Sequence, residues 1–405
     1  MTGALDTVFR THGGRVVAAL AAAFRNLDLA EEAFAEACAR AAERWPSDAP
    51  NDPAAWLYAT ARRWALDRLK RRKTAAAHRP DPVAPEPTPE EQLMRLDTPI
   101  PDERLRLIFV CCHPAIAPDA RAALTLKTVC GLSTAEIAAA FLTSEPTLAQ
   151  RLVRAKRKIA DAGVPFEVPG PDRWPERMDA VLSTLEIAYA QVHADAALAG
   201  PHADFAAEVL GLTALLTRLA PDDPEVLALA ATVRFAEARR PARLDANGAM
   251  IPLGQQDIRD WDARLIAEGG TLLRAASRIP RPAGPRLLQA AIHAAHADRK
   301  RTGVTPWPAI LGLYDALLTL RDDAVIRVNR AVAVAEVHGP AAGLAELGGV
   351  MATGWLPLHA ARADLLSRLG RTEAARAEYD AALALDPAPA ETLFLTARRD
   401  ASVAL

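Results

Sequence analysis

An all-α fold is predicted by three features of this 405-residue sequence. Alanine is abundant, and it is the best helix former and a poor strand former. Aromatic residues make up only 5% of the chain, and Gly-bounded Val/Ile/Thr runs of the strand kind are sparse. Apolar residues recur at helical spacing, as Val16, Leu20 and Phe24 do on one face. With 51% apolar residues, large cores can form, and the length suggests two to four compact units.

Residues 5–44 read as amphipathic helices. Prolines and small polar residues make 46–53 a loop. Asp52 can cap the next helix with Pro53 in its first turn, and that helix runs to about residue 73. The segment 80–101 holds seven prolines and the acids Asp81, Glu86, Glu90, Glu91 and Asp97. It cannot bury enough surface to fold alone and reads as a linker. Helices resume at 102–112, 119–129, 133–142 and 145–159, with a second break at 163–175. The rest is helical, apart from Asn247-Gly248 in 242–253, which signals either a hairpin or a long loop with a tight turn. Near the end, 331–347 matches 363–379 at a shift of 32 residues, pairing Ala331 with Ala363 and Glu346 with Glu378. Ala363, Gly370, Ala375, Tyr379, Ala382 and Pro387 follow the pattern of tetratricopeptide helix pairs, whose period is about 34 residues. A helical repeat is expected there.

The net charge of −2 hides an asymmetry. Residues 1–160 carry 23 Lys/Arg against 19 Asp/Glu, whereas residues 161–405 carry 25 against 31. A basic front and an acidic back suit a polyanion reader joined to a protein-facing module. The four cysteines form no CxxC pair, and Cys111-Cys112-His113 does not match the usual zinc spacings. They sit in an apolar stretch and read as buried, reduced thiols of a cytoplasmic protein. The apolar run 16–24 could mimic a signal peptide, but its helical pattern continues into Leu27, Leu29 and Phe34, which favours a buried helix. No run approaches the ~20 apolar residues of a membrane span, and no membrane association is expected.

Two constellations carry function. In 131–158, Ser133 caps a helix with Glu136 as its capping-box partner, and Ile137, Ala138 and Phe141 form the inner face. A turn at 142–144 follows, and Ser144 caps a second helix whose Leu148, Leu152, Ala155 and Ile159 face the core. Thr147, Gln150, Arg151 and Arg154 fall on the outer face, and Arg151, Arg154, Lys156, Arg157 and Lys158 put five positive charges in eight residues. This is the layout of a helix-turn-helix with a recognition helix for a major groove. In 53–73, Trp56, Tyr58 and Trp64 interleave with Arg62, Arg63, Arg68, Lys70, Arg71, Arg72 and Lys73. Rings that stack on bases beside cations that meet phosphates suit single-stranded DNA, and the same pattern also serves ordinary packing helices.

Residues 28–36 (DLAEEAFAE) and 54–63 (AAWLYATARR) resemble region 2 of extracytoplasmic-function sigma factors of the sigma-70 family, and 131–138 with 147–156 resemble their region 4. Residues 170–405 resemble the long tetratricopeptide-like extension of one sigma subgroup. The resemblance implies a sigma region 2 domain at 1–74, an acidic Pro-rich linker at 75–101, a region 4 domain at 102–163 and a regulatory tail at 170–405. It implies that Asp28, Glu31, Glu32 and Glu36 meet core RNA polymerase at the β′ clamp, with the β flap a second polymerase contact. It implies that Trp56, Arg62, Arg63, Arg68, Arg71 and Arg72 meet the −10 element, with the 46–52 loop helping to capture a flipped base. Thr147, Gln150, Arg151, Arg154 and Lys156 would face the −35 element. The acidic linker would lie in the RNA path. The tail is expected to dock on the sigma core in place of a separate anti-sigma factor. The chain departs from the family at Arg63, where Asn is common, at Ala149, where a basic residue is common, and at Leu142, in place of the turn glycine.

A conventional regulator, with one helix-turn-helix and a repeat-type sensor that does not replace sigma, is the alternative, although it leaves 31–36 and 56–72 unexplained. No Gly-rich phosphate loop, HExxH or nucleophile elbow is present. His293 and His296 share a helix face beside Arg299 and Lys300, which favours packing over metal. The chain is expected to be a transcription initiation factor, not an enzyme, and to need no cofactor.

Overall fold

The computed structural model describes residues 2–77, 103–141, 143–169, 174–194, 201–350 and 354–401. The expected linker beyond residue 77 and the turn residue Leu142 lie outside the described residues. Among the described residues there is no strand, so the all-α expectation holds. The chain forms two compact units, Met1–Gln191 and Val192–Leu405, each built on its own core.

The first unit starts with α1 (Thr2–Phe24), α2 (Leu27–Arg44) and α3 (Pro53–Ala77). Positions 16 to 21 of α1 are all buried. A helix that is apolar all round must be covered all round, and α1 is: α2 and α3 pack on it, and so do two helices of the next domain. This accounts for the 16–24 run as a buried helix. Asn26 caps α2 by accepting the Leu29 N–H at 2.9 Å. Along α2, Ala30, Ala33, Ala37 and Ala41 are fully buried at helical spacing, which turns Asp28, Glu32 and Ala35 outward. Asp52 caps α3 by accepting the Ala55 N–H at 3.0 Å, as the sequence suggested.

Next come α4 (Arg104–Cys111), α5 (Pro118–Thr128), α6 (Thr134–Ala140) and α7 (Glu145–Asp161), with α8 (Trp174–Ala194) after the second break. A Cβ added to Gly14 of α1 would stand 2.0 Å from the Val129 carbonyl oxygen just beyond α5. Only glycine allows that approach. In α4, Leu107, Ile108, Phe109, Val110 and Cys111 are all buried. The Cys111 sulfur lies 3.3 Å from the Thr128 hydroxyl. Burial pushes the Cys111 and Cys112 thiols upward, and Cys38 up to about 12. These are packing thiols, not thiolates. From α8, Arg177 donates to the Phe109 carbonyl, and Met178, Val181, Leu182 and Leu185 are buried. The first compact unit therefore continues past the break at 163–175.

The second unit runs through α9 (Pro201–Leu219), α10 (Pro224–Ala238), α11 (Ala263–Arg278), α12 (Pro285–Ala297), the short α13 (Arg299–Thr302) and α14 (Trp307–Leu320). It ends in α15 (Ala324–His338), α16 (Pro340–Gly348), α17 (Leu356–Arg368), α18 (Thr372–Leu383) and α19 (Pro389–Ala401). Helix α10 is buried on nearly every side, among α9, α11 and α12. The 32-residue shift seen in the sequence superimposes α15–α16 on α17–α18, and Ala331 and Ala363 are both fully buried at the equivalent point. Ion pairs repeat at similar intervals: Arg368 meets Glu336 at 2.6 Å and Arg398 meets Asp364 at 3.0 Å. The Asn247-Gly248 signal gives a single antiparallel bridge, Leu244 to Met250, closed by Gly248 at φ +81°. It is a tight turn rather than a hairpin ladder, because the Asp245 carboxylate takes the Asn247 and Ala249 N–H groups locally.

His293 and His296 do pack. The Nδ1 of His293 lies 3.0 Å from the Arg239 guanidinium, and His296 meets the Trp307 ring edge-on with centroids 5.4 Å apart. Burial, with Arg239 and Arg299 nearby, lowers His296 to about 4. The unfolded imidazole takes up its proton near 6.5. Its contribution to stability is therefore complete above about 6.5 and is lost as pH falls toward 4. Thermal unfolding of the full chain, followed from pH 7 to 4, should show a falling midpoint that His296→Gln flattens. An identical slope in the two proteins would exclude His296 as the cause.

Candidate nucleic-acid interface

The helix-turn-helix forms as its caps dictate. Gly131, at φ +71°, ends α5 in the left-handed conformation that residues with a Cβ rarely adopt. The Leu132 N–H returns to the Leu126 carbonyl at 3.1 Å. Ser133 and Glu136 close the expected capping box: the Ser133 N–H reaches the Glu136 carboxylate at 2.7 Å, and the Glu136 N–H reaches the Ser133 hydroxyl at 3.1 Å. Ser144 accepts the Thr147 N–H at 3.4 Å, and its hydroxyl lies 2.7 Å from that of Thr147. The Thr147 side chain is thus exposed but tied to the cap. Leu148, Leu152, Ala155 and Ile159 form the buried stripe of α7, as predicted.

The opposite face of α7 is open. Gln150, Arg154, Arg157 and Lys158 are exposed, and Arg151 is half-buried. The Arg154 Nε lies 3.4 Å from the Gln150 carbonyl, which directs the guanidinium along the helix. Lys156 behaves differently. Only 16% of its side chain is exposed, and its ammonium lies 2.7 Å from Asp28 and 2.9 Å from Glu31. Burial alone would lower its pKa, but the hydrogen bonds and charges of Asp28 and Glu31 outweigh it and hold the ammonium above its usual range. Two of the acids of α2 therefore converge on the recognition helix. The other two are also paired: Glu32 meets Arg68 at 3.0 Å, and Glu36 meets Arg40 of its own helix at 2.9 Å.

On α3, Arg62, Arg71 and Arg72 are exposed, while Arg63 and Arg68 are half-buried. Trp56 is placed in the core, 6% exposed. It packs edge-on against Trp45 at 5.4 Å, and Trp45 in turn meets Phe9. The partly exposed indole of this helix is Trp64, with the Arg68 guanidinium 5.1 Å from its ring centroid. Helical spacing does not separate the two indoles, because Trp64 falls on the same arc of the helix as Trp56, Leu57, Thr60 and Ala61, all four of them buried. The 46–52 loop is exposed almost throughout. Among the described residues no group of three or more His, Cys, Asp or Glu could hold a metal ion, and no helix is long and apolar enough to cross a membrane.

A capped helix-turn-helix with an open basic face, beside a second basic helix, defines a DNA-binding protein. Residues 8–75 match the family described as Sigma-70 region 2, and residues 106–159 match Sigma-70, region 4. Residues 177–277 match a family of unknown function, DUF6596. An uncharacterized protein of Rhizobium meliloti (strain 1021) is 40% identical over 408 residues, spanning 98% of this chain and 96% of the relative. No solved structure matches. The chain belongs to the sigma-70 family, as a member of the extracytoplasmic-function type with a C-terminal extension. Members of this family are transcription factors rather than enzymes.

The open face of α7 makes Arg154 the clearest single test of DNA reading. If Arg154 reads a base edge, Arg154→Ala should cost roughly 1–3 kcal/mol of discrimination between a selected site and random DNA. If it grips phosphate, affinity should fall on every sequence and the salt dependence should lose about one unit. Titration of both DNAs at several salt concentrations separates the two, and no change in either would remove Arg154 from the interface.

Proposed function

We propose that this chain binds core RNA polymerase as a sigma factor and directs initiation at its own promoters. In this reading α7 reads the −35 element through Gln150, Arg151 and Arg154. The end of α3 meets the −10 element through Arg62, Arg71 and Arg72, with Trp64 as the accessible ring and Trp56 as the support behind it. The acids of α2, Glu32 and Glu36 foremost, meet the polymerase. The observation that carries the proposal is the presence of both sigma regions in one chain, each with its basic helix face solvent-exposed. A regulator with one helix-turn-helix would need only the second.

The tail is proposed to set the activity of the front half. It is acidic where the front is basic, and covalent attachment gives it a high effective concentration there. This would replace a separate anti-sigma protein.

Core polymerase lacking sigma is the direct test. The full chain should co-elute with it and support transcription from promoters selected out of a genomic library. Glu32 and Glu36 lie at i, i+4, and reversing both to Lys should abolish co-elution while the fold survives, because exposed substitutions cost little. DNA binding without co-elution of the wild-type chain would instead support a conventional regulator. For the tail, a fragment ending at Gln191, where the first compact unit ends, should differ from the full chain in transcription. A gain means restraint by the tail, and a loss with core binding kept means support. Equal activity, with no association of the separated pieces, would sink the regulatory role.

A further inference from the structure

The second compact unit holds a small cavity that DNA binding leaves unused. The irregular segment between α10 and α11 is fastened there by Arg299, which donates to the Leu253 carbonyl at 3.0 Å and to that of Gln256 at 3.4 Å. Between this segment and the helices α12 to α14, Trp261, His296, Arg299, Thr305 and Trp307 surround about 30 Å³, with the exposed Gly254 at the rim. That is room for roughly two water molecules, or for the two oxygens of a carboxylate.

Three independent features favour an anion. First, Trp261 is 2% exposed, and its Nε1 is buried without a hydrogen-bond partner. Buried donors are nearly always paired, so an orphaned indole N–H at a cavity wall asks for an acceptor. Second, α14 starts at the cavity through Thr305 and Trp307, and no side chain caps it. The N-terminus of a helix carries partial positive charge and attracts anions. Third, the guanidinium of Arg299 is fixed in the wall, and the charge of the buried Arg239 is felt at His296. No acid is among the described residues that line the cavity. The acids nearest in sequence are engaged elsewhere: Asp257 pairs with Arg259, Asp262 caps α11 and Asp298 pairs with Arg301.

We propose that this cavity is a binding site for a small organic acid, whose carboxylate accepts from the Trp261 indole and the Thr305 hydroxyl beside Arg299. The size of the cavity admits the carboxylate and leaves the rest of the molecule at the rim by Gly254. A ligand held there would tie the irregular segment to α12 and α14. The site belongs to the second compact unit alone and does not rest on the sigma-factor reading.

The full chain, labelled with ¹⁵N-tryptophan, reports on the site through the indole N–H signals of its seven tryptophans. The signal missing from Trp261→Phe is that of Trp261. Titration with sodium acetate should move it saturably, and sodium chloride at equal concentration should leave it in place. A signal that acetate does not move would overturn the proposal. Equal movement by chloride would overturn the carboxylate class. Thr305→Val removes the hydroxyl and should weaken acetate binding about tenfold, while unchanged affinity would place the ligand elsewhere and sink this site. If Trp261→Phe does not fold, the same decision follows from whether Thr305→Val weakens the acetate response of any indole signal.

Discussion

The first compact unit depends on the burial of α1. Six successive positions, 16 to 21, lie inside, and no single neighbour can cover a helix on all sides. Helices α2 and α3 cover one flank and α4 and α5 the other. The two sigma regions are thus parts of one core, with Gly14 set close against the Val129 carbonyl. Everything at the DNA-facing end follows from that arrangement. It brings α2 beside α7, and so brings carboxylates of one region within 3 Å of the lysine of the other.

The electrostatics of this end differ from those of an open basic surface. Of the cations predicted to meet DNA, Arg62, Arg71, Arg72 and Arg154 remain exposed, whereas Lys156 and Arg68 are engaged by acids of α2. An exposed ion pair is worth about a kcal/mol or less. Lys156 is mostly covered and has two acidic partners, so its contact is the more consequential of the two. Specific recognition and domain closure draw on the same few side chains.

Much of this was legible in the sequence because it is local. The capping box of Ser133 and Glu136, the Ser144 cap, the Asp52 cap and the buried stripe of α7 are fixed by residues three or four apart. The tail repeat was legible for a related reason, since a period of 32 residues returns equivalent alanines to equivalent depths. Long-range pairings were not legible. Nothing in the order of residues says that Lys156 will meet Glu31, 125 positions away, or that Trp56 will be covered by Trp45 while Trp64 stays partly exposed. Charge and aromatic content mark a helix as a DNA reader or as a packer equally well, and only the neighbours decide which side chain does which. The Asn247-Gly248 signal shows the same limit in reverse. The turn formed, but no flanking strands formed to make it a hairpin.

That turn has a reach beyond its own loop. The Met250 N–H donates to the Ala390 carbonyl at the start of α19, at 2.9 Å. The segment around the turn is in turn held by Arg299, which donates to the Leu253 and Gln256 carbonyls, and by Lys300, which donates to those of Ile258 and Trp261. A helical repeat normally has a free terminal unit that contacts only its predecessor. Here the last helix is fastened to the middle of its own domain as well as to α17 through Arg398 and Asp364. The repeat is closed on itself like a buckled strap, and loosening its end would be felt at the irregular segment more than a hundred residues earlier.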